Sequence, residues 1–148
     1  MKKLDNYNIS KKNVIFRADL NVPVVDKKIT DYSRINSILP SLNELIKNKN
    51  KVFIIAHFGR PKGRINKKDS LQFLCDEIKN KVNVSRMHFL ETFNTELIKQ
   101  KINEMDDGEV CLFENIRFEL GEEKNDLNFS KEVSSNFDIY VNDAFSAS

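Results

Sequence analysis

The segment Val52-Phe53-Ile54-Ile55-Ala56 is an uninterrupted apolar run with the length and β-branched content of a strand that is buried on both faces. The chain then changes abruptly to His57-Phe58-Gly59-Arg60-Pro61. Cationic side chains beside a glycine are unfavourable within a folding core, but they suit a site that binds an anion. The segment therefore predicts a central strand whose carboxyl end carries a binding loop.

Four other apolar runs of strand composition occur along the chain, at residues 14–16, 87–90, 110–113 and 139–141. Between them, apolar side chains recur at helical spacing in residues 35–46, 71–78, 97–102 and 127–137. Strands that alternate with helices over nearly the whole length predict an α/β fold. We expect a doubly wound, mainly parallel sheet with helices on both faces, in a Rossmann-like three-layer arrangement.

The first part of the chain contains a predicted hairpin and a helix with two possible starts. Asp26-Lys27-Lys28 predicts the turn of the hairpin. Asp31 or Ser33 is the candidate cap of the helix that follows. Pro40 either kinks this helix or lies in the first turn of one that begins near Leu39. Sequence alone leaves both alternatives open.

Composition indicates a soluble globular domain. The 148 residues are enough for one domain with its own core, and 40% of them are hydrophobic and 31% charged. A net charge of +2 gives no argument for nucleic-acid binding. No run has the apolar core of a signal peptide or the ~20 residues of a membrane span. Because Cys75 and Cys111 show no CxxC spacing, we expect two buried, reduced thiols in a cytoplasmic protein, and no metal site.

Polar side chains follow four of the five predicted strands. In a doubly wound sheet, ligands bind beyond the carboxyl ends of the strands, where the loops converge on one edge. The side chains placed there are Arg17, Asp19 and Asn21, then His57 and Arg60, then Asn115 and Arg117, and finally Asn142 and Asp143. Arginine is suited to bidentate recognition of phosphate and carboxylate. The cluster therefore predicts a small, multiply anionic substrate that also carries a hydroxyl group.

Arg34 adds a cation at the head of the first predicted helix. The helix dipole disfavours an arginine there unless something anionic lies close by. The alternative for the whole cluster is that each arginine pairs with a nearby carboxylate, such as Glu114 or Asp143, on a solvated edge. The chain has neither GxxxxGK[ST] nor GxGxxG, so no phosphate loop for a nucleotide is evident. His88, within an apolar strand, is interpreted as a structural histidine.

The same residues resemble the signature motifs of the phosphoglycerate kinase family. Arg17-Ala18-Asp19-Leu20-Asn21-Val22-Pro23 is similar to its RxDxNVP motif. Further motifs follow in family order, namely Ile29-Thr30-Asp31 before Arg34-Ile35, Leu39-Pro40, His57-Phe58-Gly59-Arg60-Pro61-Lys62-Gly63, Glu114-Asn115-Ile116-Arg117-Phe118, Glu122-Glu123-Lys124-Asn125-Asp126 and Val141-Asn142-Asp143-Ala144-Phe145. Ala18 and Leu20 replace the commoner valine and phenylalanine, and Ser146 stands where glycine is frequent. None of these departures removes a polar group.

The resemblance implies a phosphotransferase of glycolysis, which moves a phosphoryl group between 1,3-bisphosphoglycerate and ADP and yields 3-phosphoglycerate and ATP. In that family the N-terminal domain binds phosphoglycerate, and the C-terminal domain binds Mg-ATP or Mg-ADP as co-substrate. Residues 1–148 would then be the phosphoglycerate-binding domain, incomplete at its C-terminus, and inactive alone because the nucleotide-binding domain is absent. We expect a cytoplasmic monomer with a small-molecule substrate and with neither nucleic acid nor membrane as a partner.

The family motifs also imply roles for individual residues. Arg34 would be the catalytic residue nearest the transferred phosphoryl group, with Arg17 supporting it or Asp19. The implied substrate-binding residues are Asp19, Leu20 and Asn21 at the glycerate hydroxyl and carboxyl end, His57, Arg60 and Arg117 at the anionic groups, and Phe58 and Gly59, whose backbone shapes the loop. Two alternatives from other classes remain. One is a stand-alone anion-binding α/β module without catalysis, and the other is a basic nucleic-acid binder with steeply salt-dependent affinity.

Overall fold

A computed structural model of the chain describes residues 9–56, 58, 67–116 and 127–142. The strands are β1 (Asn13–Arg17), β2 (Val24–Val25), β3 (Lys28–Ile29), β4 (Lys51–Ile55), β5 (Met87–Leu90), β6 (Val110–Phe113) and β7 (Ile139–Asn142). The helices are α1 (Ser33–Lys47), α2 (Leu74–Lys79), α3 (Thr95–Glu104) and α4 (Leu127–Ser134), with a short 3₁₀ helix at Lys67–Asp69. Five strands form one sheet in the order β5-β6-β4-β1-β7, and every neighbouring pair is parallel.

The sheet separates two hydrophobic cores, because successive strand residues face opposite sides. On one face, Phe16, Ile54 and Leu112 pack against the apolar stripe of α1 and against α2. On the other face, Phe53 and Phe113 pack with side chains of α3 and α4. Helices therefore cover both faces, and the predicted doubly wound α/β fold is confirmed. Phe53 and Ile54 are fully buried at the centre of the sheet, as the apolar run predicts.

Helix α1 follows the first of the two predicted alternatives, in which the helix begins well before Pro40. It starts at Ser33 and runs through Pro40 to Lys47, so a start near Leu39 is excluded. Of the two candidate caps, Asp31 makes the contact: its Oδ1 accepts a hydrogen bond from the Ser33 backbone N–H at 2.8 Å. The N-cap position itself is held by Tyr32, whose side chain makes no capping bond. The predicted boundary of the helix was thus correct to within one residue.

The turn of the hairpin and the ends of two later helices were also predicted from the sequence. The hairpin β2–β3 turns through Asp26 and Lys27, both with positive φ, as a two-residue hairpin turn requires. Helix α3 is capped by Asn94, whose Oδ1 accepts from Leu97 N at 3.2 Å. The predicted cap Asp126 of α4 lies outside the described residues. Phe137 was placed in that helix, but α4 ends at Ser134 and Phe137 packs its ring on Phe53 in the loop that follows.

Two residues beyond the end of helix α1, Lys49 adopts a backbone conformation that favours glycine. Lys49 has φ 65°, its N–H donates to Ile46 O at 3.0 Å, and Asn50 N donates to Leu45 O at 3.2 Å. This pair of bonds is the Schellman motif, in which the left-handed residue is most often glycine. A side chain with a Cβ is disfavoured there by about 1–2 kcal/mol.

Lys49→Gly is expected to stabilise the protein by about 0.5–1 kcal/mol, because relief of the left-handed strain exceeds the added entropy of the unfolded chain. Urea unfolding followed by circular dichroism measures the change. The matched control is Lys47→Gly, two residues earlier in regular helix, which should destabilise by up to about 1 kcal/mol. A loss of stability in both variants would contradict the assignment of strain to Lys49.

The two thiols differ in burial. Cys111 in β6 is fully buried and Cys75 in α2 is partly buried, so the expectation of two buried thiols holds for Cys111 alone. Both are free cysteines. Burial raises the pKa of the Cys75 thiol to about 12, and it also raises the pKa of the Cys111 thiol. Among the described residues, no helix has the length and apolar character needed to cross a membrane.

Candidate functional site

The carboxyl ends of four neighbouring strands lie side by side. Arg17, the last residue of β1, is opposite Ile55 of β4 and Asn142 of β7. Beyond the end of β6, Ile116 N donates to Ala56 O at 3.0 Å. The segments that follow β1, β4, β6 and β7 therefore leave the sheet at the same edge, as the strand pattern predicts.

The segment after β1 alternates between core and surface. Ala18, Leu20 and Val22 are buried, whereas Asp19 is half-buried and Asn21 is exposed. This confirms the predicted alternation, which directs the two polar side chains away from the core. Leu20 is fully buried in the core, so any contact it makes with a ligand is limited to its backbone.

Arg34 is held at the head of α1 by the segment after β1. Its Nη1 donates to Asp19 Oδ1 at 3.2 Å and to the Asn21 carbonyl oxygen at 2.7 Å. Asp19 Oδ1 also accepts from Asn21 N at 3.1 Å. The Arg34 side chain keeps 42% of its surface exposed, and the Asp19 side chain 24%. An anionic partner thus offsets the unfavourable dipole at this helix end, and the cation still faces solvent.

A polar depression of about 480 Å³ opens beside this pair. It is lined by Asn21, Val22, Pro23, Asp31, Ser33 and Arg34. The Ser33 hydroxyl and backbone N–H hydrogen-bond Asp31 and lower the pKa of its carboxyl group, and the Arg34 charge adds to this effect. The depression therefore combines an oriented cation with hydrogen-bonding groups of both kinds, which suits a ligand that carries an anionic group and a hydroxyl.

The sequence predicts Asn115 among the polar groups that line the ligand-binding edge, but the structure buries its side chain. It is fully buried, and its amide binds backbone. Its Oδ1 accepts from Phe58 N at 3.3 Å, and its Nδ2 donates to Phe58 O at 2.5 Å and to Asp69 O at 2.9 Å. The Phe58 ring packs edge-on against Phe73, with centroids 5.5 Å apart. Asn115 is therefore a connector of two loops, because its amide is committed to backbone groups.

Glu114 holds the second of these loops. Its Oε1 accepts from Leu71 N at 2.7 Å and from Asn115 N at 2.9 Å, and its Oε2 accepts from the Ser70 hydroxyl at 2.7 Å. Both functions were missed in the sequence, since a carboxylate and an amide after a strand look the same whether they bind a ligand or distant backbone. No signal in one sequence distinguishes these roles.

Several predicted site residues lie outside the described residues. They are His57, Gly59, Arg60, Arg117 and Asp143, and their roles stay predictions. Arg17 and Asn142 are placed at facing strand ends, as stated above. Within the described ranges, no group of three His, Cys, Asp or Glu side chains could hold a metal ion.

A second ionic cluster lies at the opposite end of the sheet, before β5 and β6. His88 Nε2 is 2.8 Å from Glu109 Oε1, and Arg86 donates to the same carboxylate through Nε at 2.9 Å and Nη2 at 3.1 Å. The interpretation of His88 as a structural histidine is confirmed. The Arg86 hydrogen bond lowers the pKa of Glu109 from 4.5 to about 2 against the opposing effect of burial, and His88 and Asp106 N contribute to the lowering.

The stability supplied by the Glu109 carboxylate is expected to disappear in acid. Because its folded pKa lies below its unfolded value, the contribution is complete above about pH 5 and is lost as pH falls toward 2. Urea unfolding should show Glu109→Gln less stable than the parent by about 2 kcal/mol at pH 7, with the gap falling to less than half of that at pH 3 and closing near pH 2. The exposed Glu132→Gln is the control and should show a small, flat difference. A pH-independent gap for Glu109→Gln would refute this linkage.

Comparisons with known proteins agree on one family. A family model described as phosphoglycerate kinase matches residues 4–148. Phosphoglycerate kinase of Chelativorans sp. (strain BNC1) is 44% identical over 147 residues, which are 99% of this chain and 37% of that protein. Phosphoglycerate kinase of Rhizobium meliloti (strain 1021) is also 44% identical, with the same coverage. The chain thus spans about 37% of the length of these curated relatives.

Solved structures lead to the same family. Phosphoglycerate kinase from Coxiella burnetii superposes with a TM-score of 0.82 at 32% identity, over 96% of this chain and 34% of that one. Phosphoglycerate kinase from Pyrococcus horikoshii OT3 also gives a TM-score of 0.82, at 30% identity, over 98% of this chain and 37% of that one. With the family model matching nearly every residue, the chain belongs to the phosphoglycerate kinase family.

Proposed function

We propose that the chain is the phosphoglycerate-binding domain of a phosphoglycerate kinase. The observation that carries the proposal is the Arg34 guanidinium, oriented by Asp19 and the Asn21 carbonyl at the edge of the depression. The ligand that fits is small, anionic and hydroxylated, and 3-phosphoglycerate and 1,3-bisphosphoglycerate have this chemistry. The other anion-binding residues of the proposal are His57, Arg60 and Arg117.

Each described residue has a distinct task in this proposal. Asp19 and Asn21 accept or donate hydrogen bonds at the hydroxyl and carboxyl end of the glycerate, and Asp19 also fixes Arg34. Arg34 neutralises negative charge on the equatorial oxygens of the phosphoryl group as it moves. Phosphoryl transfer depends mainly on such positioning and charge stabilisation, so no covalent enzyme intermediate is required.

In this proposal the nucleotide binds to a part of phosphoglycerate kinases that this chain does not cover. Mg-ATP or Mg-ADP is the co-substrate in that scheme, and closure of two domains would exclude water from the transfer site. The chain alone is then expected to bind phosphoglycerate without turnover. Two free thiols support a reducing compartment, which we take to be the cytoplasm. A monomeric state belongs to the same proposal, and sedimentation would test it.

Titration of 3-phosphoglycerate into the chain tests the proposal. Calorimetry should show saturable binding of one equivalent, and amide NMR shifts should centre on Asp19, Asn21 and Arg34. Inorganic phosphate and duplex DNA serve as comparison ligands. A stand-alone anion module would bind phosphate as tightly as 3-phosphoglycerate, and a nucleic-acid binder would prefer the duplex. Shifts confined to residues far from Arg34 would refute the site.

A further inference from the structure

We propose that Asn115, together with Glu114, is a positioning residue of the substrate site, because its buried amide fixes the backbone on both sides of the loop that follows β4. This inference rests on the proposed function. Asn115 is fully buried, so it acts through the loop and does not itself touch substrate. Its side-chain amide both accepts from the N–H and donates to the carbonyl of Phe58, as the backbone of a neighbouring strand would.

The residues on either side of His57 are both bonded to the segment that follows β6. Ala56 O accepts from Ile116 N at 3.0 Å, and both the N–H and the carbonyl of Phe58 bind the Asn115 amide. The two flanks of His57 are thus held by consecutive residues, 115 and 116, which directly precede Arg117. The described residues that adjoin His57 and Arg117 in the sequence are therefore bonded to each other.

Arg60 lies, in the sequence, between two residues that the Asn115 amide binds. Residues 59–66 begin directly after Phe58 and end directly before the 3₁₀ helix at Lys67–Asp69. Asn115 Nδ2 holds Asp69 O, and the Glu114 carboxylate holds Ser70 and Leu71 just beyond it. The described residues on either side of this range are therefore attached to the same two residues after β6. Bonds to an ionised carboxylate are the stronger kind, and buried amide partners are costly to lose, so the attachment is well defined.

Another buried asparagine provides a matched control. Asn50 is also fully buried, its Oδ1 accepts from Lys12 N at 3.0 Å, and its Nδ2 donates to Ile9 O at 3.1 Å and Leu45 O at 2.9 Å. Within the described part of the chain it accepts one hydrogen bond and donates two, as Asn115 does, but it precedes β4 at the opposite end of the sheet. Any general effect of losing a buried amide should therefore appear in both variants.

The test compares Asn115→Asp with Asn50→Asp in the full chain. Each change keeps the accepting oxygen and replaces the donating NH₂ with an oxygen that faces two carbonyl groups. Calorimetry with 3-phosphoglycerate, at a temperature where circular dichroism shows both variants folded, should give at least about 10-fold weaker binding for Asn115→Asp alone. Equal affinities in the two variants, reduced or not, would overturn the inference.

Hydrogen exchange gives a readout that needs no ligand. Repulsion by the Phe58 and Asp69 carbonyl oxygens should displace the new carboxylate of Asn115→Asp and weaken its bond to Phe58 N. The Phe58 amide should therefore exchange at least about 10-fold faster in Asn115→Asp and be unchanged in Asn50→Asp, while the Phe53 and Ile54 amides stay protected in both. If the parent chain binds no 3-phosphoglycerate, the proposed function fails, and exchange at Phe58 alone decides the positioning role. Unchanged exchange there would refute it.

A milder variant covers the case in which Asn115→Asp does not fold. Glu114→Gln keeps the shape of the side chain and removes the charge that strengthens the bond to Leu71 N. The Leu71 amide should then exchange faster and 3-phosphoglycerate should bind more weakly than in the parent. Exchange and affinity that both match the parent would overturn the inference.

Discussion

Arg34→Ala is expected to lower kcat by at least about 100-fold in a phosphoglycerate kinase that carries this chain, because a preorganised charge-stabilising group is lost. Within the described part of the chain, both hydrogen bonds of the guanidinium come from Nη1, one to Asp19 and one to Asn21 O. Nε and Nη2 are then the donors that can meet the phosphoryl oxygens. The expected loss corresponds to about 2.7 kcal/mol of transition-state stabilisation.

Arg34→Lys separates charge from geometry at the same position. Lysine keeps the positive charge but lacks the planar fork, so it cannot bind Asp19 and a phosphoryl oxygen in the same way. We expect kcat between those of the parent and Arg34→Ala. Steady-state kinetics with both substrates saturating gives kcat directly, and calorimetry gives the affinity for 3-phosphoglycerate.

A control arginine lies at the other end of the sheet. Arg86 is also half-exposed and paired with a carboxylate, Glu109, but it is remote from the strand ends that form the site. Arg86→Ala should lower stability and leave kcat within about 2-fold of the parent, because it removes no group from the site. If Arg34→Ala were as active as Arg86→Ala, the catalytic role of Arg34 would be wrong.

The five strands of the sheet could be predicted to within a residue or two, for a simple physical reason. Strands in the middle of a parallel sheet are buried on both faces, so each is an apolar run bounded by polar residues. β5 and β6 match their predicted bounds, and β4 ends one residue early, at Ile55. The alternation of Asp19 and Asn21 with buried neighbours was predictable on the same basis.

The contacts that fix the loops could not be predicted from one sequence. Asn115 binds Phe58 from 57 positions away, and Glu114 binds Leu71 from 43 positions away. Such bonds depend on where the strand order brings two chain ends together, which periodicity does not encode. An arginine and a carboxylate at a strand end indicate a binding site. An asparagine beside them has the same sequence pattern whether it binds a ligand or is buried against backbone. For this reason the sequence predicts Asn115 as a binding residue.

Asn50 also binds distant backbone groups through a buried amide, although no sequence motif distinguishes it, so we expect it to be important for stability. Its side chain joins the segment before β1, through Ile9 O and Lys12 N, to the end of α1 at Leu45 O. Its backbone carbonyl accepts from Gly108 N at 3.0 Å. One buried residue therefore holds three parts of the chain at the amino end of the central strand.

Asn50→Leu is expected to destabilise the protein by about 3–5 kcal/mol, because the buried Leu45 O and the partly buried Lys12 N and Ile9 O all lose the partner that the amide supplies. That is a large part of the 5–15 kcal/mol typical of a domain, and the urea midpoint should fall by roughly 2 M. The control is Asn48→Ala, two residues earlier, whose side chain makes a single 3.5 Å contact, with Glu44, among the described residues. It should change stability by less than about 0.5 kcal/mol. Equal midpoints for the two variants would mean that water or backbone movement satisfies the groups that Asn50 binds, and the buried amide would then be dispensable.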